Sequence, residues 1–163
     1  MRKEVSVGIM ALSVVTMIGG SGAAAAHASS GRSQTEHLRI VSTKAISRRL
    51  SVIATGAFTS GGRDIPAAKT DTMVFPGGRF KFSHLEKSFT ASFNPSTCLN
   101  RETERGTFSI GRGTGRYAGI HGSGKFVTSI VAVTAMNRAG QCRHVQAPAT
   151  FQQITTAIGT VSR

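Results

Sequence analysis

From residue 36 onward the chain repeats one pattern: runs of five to ten residues alternate apolar and polar side chains, separated by clusters of Gly, Pro, Asn or Ser. Successive side chains on a strand point to opposite faces, so a period of two marks half-buried strands. Leu38 and Ile40 share one face of a first run, and Leu50, Val52, Ala54, Gly56 and Phe58 share one face of a second. Gly61-Gly62-Arg63-Asp64 reads as a turn, residues 71–75 as a third strand, and Pro76-Gly77-Gly78 as a tight turn, since Pro presets φ and Gly accepts positive φ. Phe80, Phe82 and His84 then alternate with Arg79, Lys81 and Ser83, and Phe89, Ala91 and Phe93 with Ser88, Thr90 and Ser92. These two runs are expected to pair as a hairpin whose rings share an interior. Asn94-Pro95-Ser96-Thr97 closes that unit, and further strands are expected over 107–110, 125–134 and 149–158. No window beyond the N-terminal leader carries a helical apolar stripe with capping signals. Seven or eight short strands with regular turns favour a sandwich or a closed antiparallel barrel, and closure also removes exposed strand edges.

Residues 1–28 read as a signal peptide, with Arg2 and Lys3 at the start, an apolar run over 5–18, and Ala26-His27-Ala28 as the cleavage site. The apolar run falls short of the roughly 20 residues that span a bilayer. A secreted product without a membrane span is expected after cleavage, with residues 29–36 disordered and 37–163 forming one domain. Cys98 and Cys142 are its only cysteines, and an oxidising compartment favours joining them. That bond would stabilise the fold by about 4 kcal/mol on the chain-entropy account. Two isolated cysteines lack the paired spacing of a zinc site, so no metal is expected. Residues 29–163 hold 18 Lys and Arg against 6 Asp and Glu, and no carboxylate side chain follows Glu104. Such a field attracts polyanions and anionic surfaces, although excess charge also serves solubility.

Seven of the nineteen glycines fall within residues 106–126. Gly113-Thr-Gly115-Arg-Tyr-Ala118 approaches a dinucleotide fingerprint, and Gly119-Ile-His-Gly-Ser-Gly124-Lys125 approaches a phosphate loop. The first lacks the following helix and the acidic residue that would hold a ribose; the second has Phe126 where Ser or Thr would bind magnesium. Glycines serving as bends and bulges in a strongly coiled sheet account for the same residues, and no cofactor is expected. The six carboxylates form no recognisable glycosidase pair, and neither a Gly-x-Ser-x-Gly elbow nor a His-Glu-x-x-His sequence is present. His84 shares a face with Phe80 and Phe82, as either a satisfied interior histidine or a polar group lining a pocket; it is the best single candidate for a functional imidazole. Arg79-Phe80-Lys81-Phe82 interleaves cations and rings as nucleic-acid readers do, but on a strand the rings and cations point apart, which favours rings in the core and no specific nucleic-acid partner.

Gly106-Thr-Phe-Ser-Ile followed by Gly113-Thr-Gly-Arg-Tyr-Ala-Gly-Ile-x-Gly-Ser-Gly resembles bacterial secreted members of the allene oxide cyclase-like group, whose eight-stranded antiparallel barrel plant dirigent proteins share. Asp71-Thr-Met-Val-Phe-Pro-Gly-Gly and the flanking Cys98 and Cys142 also look like that group, while Arg112 stands where a second glycine would be expected, implying a different local bend. The resemblance implies an apolar small molecule bound in the barrel mouth, with any catalysis of cyclase or isomerase type. Phe80, Phe82, Phe89, Phe93 and Phe108 are the expected lining, with His84 and Tyr117 as polar contacts; no catalytic residue transfers. A non-enzymatic alternative is an extracellular protein that acts through its cationic surface on polyanions, cell-wall polymers or an acidic protein.

Overall fold

A computed structural model describes residues 32–143 and 147–163; the signal peptide expected over 1–28 and His144 lie outside the described residues. Eight strands, β1 (Gln34–Ser42), β2 (Leu50–Gly56), β3 (Ser60–Ile65), β4 (Thr70–Phe75), β5 (Gly78–Asn94), β6 (Leu99–Gly115), β7 (His121–Val133) and β8 (Thr150–Ser162), pair each with the next. All pairings are antiparallel, and β8 returns to β1 with Leu38 opposite Ala157, so the barrel is closed. β1 includes three residues of the 29–36 segment.

Two local expectations change. Gly61-Gly62-Arg63-Asp64 lies within β3 and is not a turn; Gly62 sits directly against the Phe75 ring and Asp64 points inward, so the alternation continues through the glycines. The runs 79–84 and 89–93 are not partners in a hairpin but parts of one strand, β5, whose partner is β6. A bulge between Glu86 and Ser88 moves the inward side chains from even to odd numbers, which keeps Phe89 and Phe93 on the face of Phe80 and Phe82. A bulge inserts one extra residue and bends the strand, so the alternation looked like two strands when it was one.

Inward residues fill the barrel. Leu38, Val52, Ala54, Met73, Phe80, Phe82, Phe108, Phe126 and Ala157 are all buried. Glycines on the inner wall make room for the rings: a methyl group at Gly106 would lie 2.6 Å from a Phe126 ring carbon, and one at Gly124 2.7 Å from Phe108. Small and large side chains alternate in this way to fill a tapering interior. The glycine-rich stretch is therefore the end of β6, a turn and the start of β7, with no helix after either glycine motif.

One end is closed. Phe58 from the β2–β3 connection and Tyr117 from the β6–β7 turn fold over it and meet Phe75 and Phe80, with ring centroids 5.1–6.1 Å apart. At the opposite end β5 to β8 outrun β1 to β4, and Cys98 is bonded to Cys142 at a Cα separation of 5.4 Å, which ties the β5–β6 tip to the β7–β8 connection.

The strands also sort charge. Glu36, Asp64, Asp71, Glu86, Glu102 and Glu104, the carboxylate side chains among the described residues, all lie on inward-facing positions of their strands. Arg39, Arg63, Arg79, Lys81, Arg101, Arg105 and Lys125 lie on outward positions. With the barrel wall between them, none of these cations forms an ion pair with a carboxylate. Arg112 is also exposed, beside a register shift in the β5–β6 ladder, with φ of 52°. That left-handed backbone costs a bulky non-glycine residue about 1–3 kcal/mol.

Candidate functional site

The open end is lined by polar groups that the alternation of five strands delivers to one place. Asp64 comes from β3, Asp71 from β4, His84 from β5, Glu104 from β6 and Thr128 from β7, and they surround a cavity of about 70 Å³ floored by Phe82 and Phe126. That is room for about two water molecules at liquid density. Thr128 and Thr155 share a hydrogen bond of 2.8 Å across β7 and β8, so their hydroxyls satisfy each other in the wall.

The ionisable groups are arranged unequally. Asp71 Oδ1 accepts the Ala67 N–H at 2.7 Å and lies 3.5 Å from His84 Nε2. Asp64 is 2% exposed, and its Oδ1 has no hydrogen-bond partner. Burial, and secondarily the charge of Asp71, push the Asp64 carboxyl up to about 7. Near neutral pH that group is close to half protonated and donates or accepts a proton with little driving force either way. Glu104 is also raised, by burial first and then by Glu86, with His84 opposing and Asp71 adding to the effect. The His84 ring is held edge-on to Phe126 at 6.2 Å and tilted over Phe82 at 6.3 Å, which fixes its plane above the cavity floor.

The seven residues expected around a ligand fall into four groups. His84 lines the mouth. Phe80, Phe82 and Phe108 are packed in the core, where Phe82 and Phe108 stack at 4.7 Å and Phe82 also floors the mouth; Tyr117 belongs to the closed end. Phe89 and Phe93 are 53% and 42% exposed and continue the inner face past the rim, where Phe89 stands opposite Glu104 in the ladder. His84 and Tyr117 are thus separated along the axis by the packed rings. Asp64, Asp71, Glu104, Thr128 and Thr155 were not singled out from the sequence. Parity alone carried a signal for two of them: Asp71 is in phase with Met73 and Phe75, and Glu104 with Phe108 and Ile110.

Among the described residues, no cluster of His, Cys, Asp and Glu has the geometry to hold a metal ion. What the mouth provides is ionisable groups brought together in a small recess with an aromatic floor. No family model, no curated protein and no solved structure matches this chain.

Proposed function

We propose that this protein binds a small, largely apolar molecule at the open mouth and transfers protons on it, as a cofactor-free cyclase or isomerase would. The observation that carries the reading is that Asp64, with a buried and unpartnered oxygen, lines the same recess as the Asp71–His84 pair. Two titratable groups in unlike environments within one cavity are the arrangement that acid–base chemistry needs. Cavities that enclose drug-sized ligands run to roughly 300–1,000 Å³, far above the 70 Å³ here. Only the reacting end of a substrate enters, and its apolar remainder lies on the extension of β5 to β8 against Phe89 and Phe93. Membership of the allene oxide cyclase-like group belongs to the same proposal, supported by the eight-stranded closure and by the strand–bend–strand form of the glycine-rich stretch. So does export, with which the disulfide is compatible and for which no described helix is long and apolar enough to cross a membrane.

Two measurements test the reading. The uncharged dye N-phenyl-1-naphthylamine should show a saturable fluorescence rise that is lost in Gln153→Trp, which fills the mouth. Cyclohexanone in deuterated buffer should exchange its α-protons faster with the protein than without it, and Asp64→Asn should remove the excess rate. Absence of saturable dye binding, or α-exchange no faster than buffer, overturns the reading.

A further inference from the structure

A second depression lies on the outside of the wall, where β4, β5 and β6 run side by side. It encloses about 250 Å³ and is lined by Thr70, Lys81, Ser83, Ser109, Gly111 and Arg112. The register explains the grouping: Thr70, Ser83 and Ser109 are successive partners in one row, and Thr72, Lys81 and Gly111 in the next. Thr70 and Ser83 hydroxyls lie 3.0 Å apart, and Lys81 Nζ donates to its cross-strand partner Thr72 Oγ1 at 2.7 Å, which holds the ammonium on the β4 side of the groove. Among the described residues, the sorting of charge leaves no carboxylate side chain on this outer face to neutralise Lys81 or Arg112.

The order of Gly111 and Arg112 is informative. Gly111 has negative φ and open space where a side chain would go, so neither backbone conformation nor crowding requires glycine there. Arg112 occupies the left-handed position in which glycine would be unstrained. Exchanging the two residues would relieve the backbone, yet the chain keeps a bare floor at 111 and an arginine at its edge. Strain held at a bulge beside a polar recess is the kind that accompanies a binding role.

We propose that this groove holds a tetrahedral oxyanion, phosphate or sulfate, carried on a linear polyanion, with Lys81 and Arg112 supplying the charge and Ser83 and Ser109 the hydroxyl donors. The planar guanidinium and the point-charge ammonium are complementary in this task, one orienting two oxygens and the other neutralising. Neighbouring outward cations, Arg79 and Arg63 along the next row, extend the contact to adjacent groups of the polymer. The site is separated from the acid–base mouth by the barrel wall and does not depend on it.

Fluorescence anisotropy with a labelled heparin oligosaccharide and with labelled linear polyphosphate, at about 150 mM salt, tests the site and distinguishes sulfate from phosphate as the preferred group. Saturable binding of at least one is expected. The double variant Lys81→Ser/Arg112→Ser should weaken it by about tenfold or more and lower the slope of log affinity against log salt by about 2, one for each cation removed. Arg39→Ser/Lys44→Ser removes the same charge from β1 and the connection that follows it, four strands from β5, and should weaken binding by less than about threefold. Gly111→Asp, which has space for its side chain and leaves both cations in place, should weaken binding as the first pair does. No binding of either polymer, or equal weakening by the two double variants, overturns the proposal.

Discussion

Each end of the barrel buries a carboxyl group, and the surroundings of the two differ. At the closed end Glu36 is 1% exposed, accepts the Phe58 N–H at 3.0 Å and is covered by the turn that carries Phe58. Burial raises its pKa, while backbone N–H groups, Phe58 first, and the nearby His37 oppose the shift. At the open end Asp64 is equally buried, but it has a second carboxylate, Asp71, beside it and a cavity in front of it. The closed end gives one oxygen of its acid a donor, leaves Oε1 without a partner, and seals the group under four aromatic rings. The open end also leaves one oxygen unpartnered, Asp64 Oδ1, but there the residue lines a cavity and has a second carboxylate beside it. A buried carboxyl sealed under rings belongs to the packing of the fold, whereas one that is destabilised and lines a cavity is placed for chemistry.

Three measurements bear on that comparison, and the largest effect is expected in packing. Phe80→Ala, in the sealed end, should cost about 3–5 kcal/mol in chemical denaturation, through lost burial and the cavity left behind. Phe89→Ala, on the exposed extension, should cost within about 1 kcal/mol. Equal losses would mean that the two regions do not differ in their share of the core.

The second effect depends on pH. Asp64 holds its proton more tightly folded, at about 7, than its ordinary value of 3.8. Its protonation therefore favours the native state, and that stability is present below about pH 4 and is lost as pH rises through 7. Asp64→Asn should match the wild type at pH 4 and exceed it by roughly 2–4 kcal/mol at pH 8. Denaturation midpoints at the two pH values measure the difference directly; the same advantage at both would show that the carboxyl is not perturbed.

The smallest effect is in the wall of the mouth. Thr128→Val leaves the Thr155 hydroxyl buried without its partner and should cost about 1–2 kcal/mol, whereas Thr128→Val/Thr155→Val should recover most of that loss. A double variant as unstable as the sum of the singles would show that the hydroxyls act separately, with water or other groups.

Much of the architecture was legible in the sequence because period-two alternation reports which face of a strand is buried. Phe80, Phe82 and Phe108 could be assigned to the interior on that basis alone, and the turns at Pro76-Gly77 and Asn94-Pro95 were marked by their residues. The β3 strand was hidden because two glycines contribute no side chain to the pattern, and the single β5 strand was hidden because the bulge at Lys87 breaks the parity on which the reading depends.

The candidate site was legible only in part. His84 could be found because it follows two phenylalanines in phase, but nothing local links it to Asp64, twenty residues earlier and read as part of a turn. Legible from the sequence were the alternation, the number of strands, two cysteines available to pair, and an excess of cations over carboxylates, whereas the short lengths expected of the strands did not hold for β5 to β8, which run to 13–17 residues. The tertiary structure alone decided that the barrel closes with β8 on β1, that rings seal one end, and that acids from three strands and a histidine from a fourth meet at the other. The physical reason is that face is a local property, set by each residue's neighbours along the strand. Depth along the barrel axis depends on the register between strands, which pairings and bulges fix over long separations.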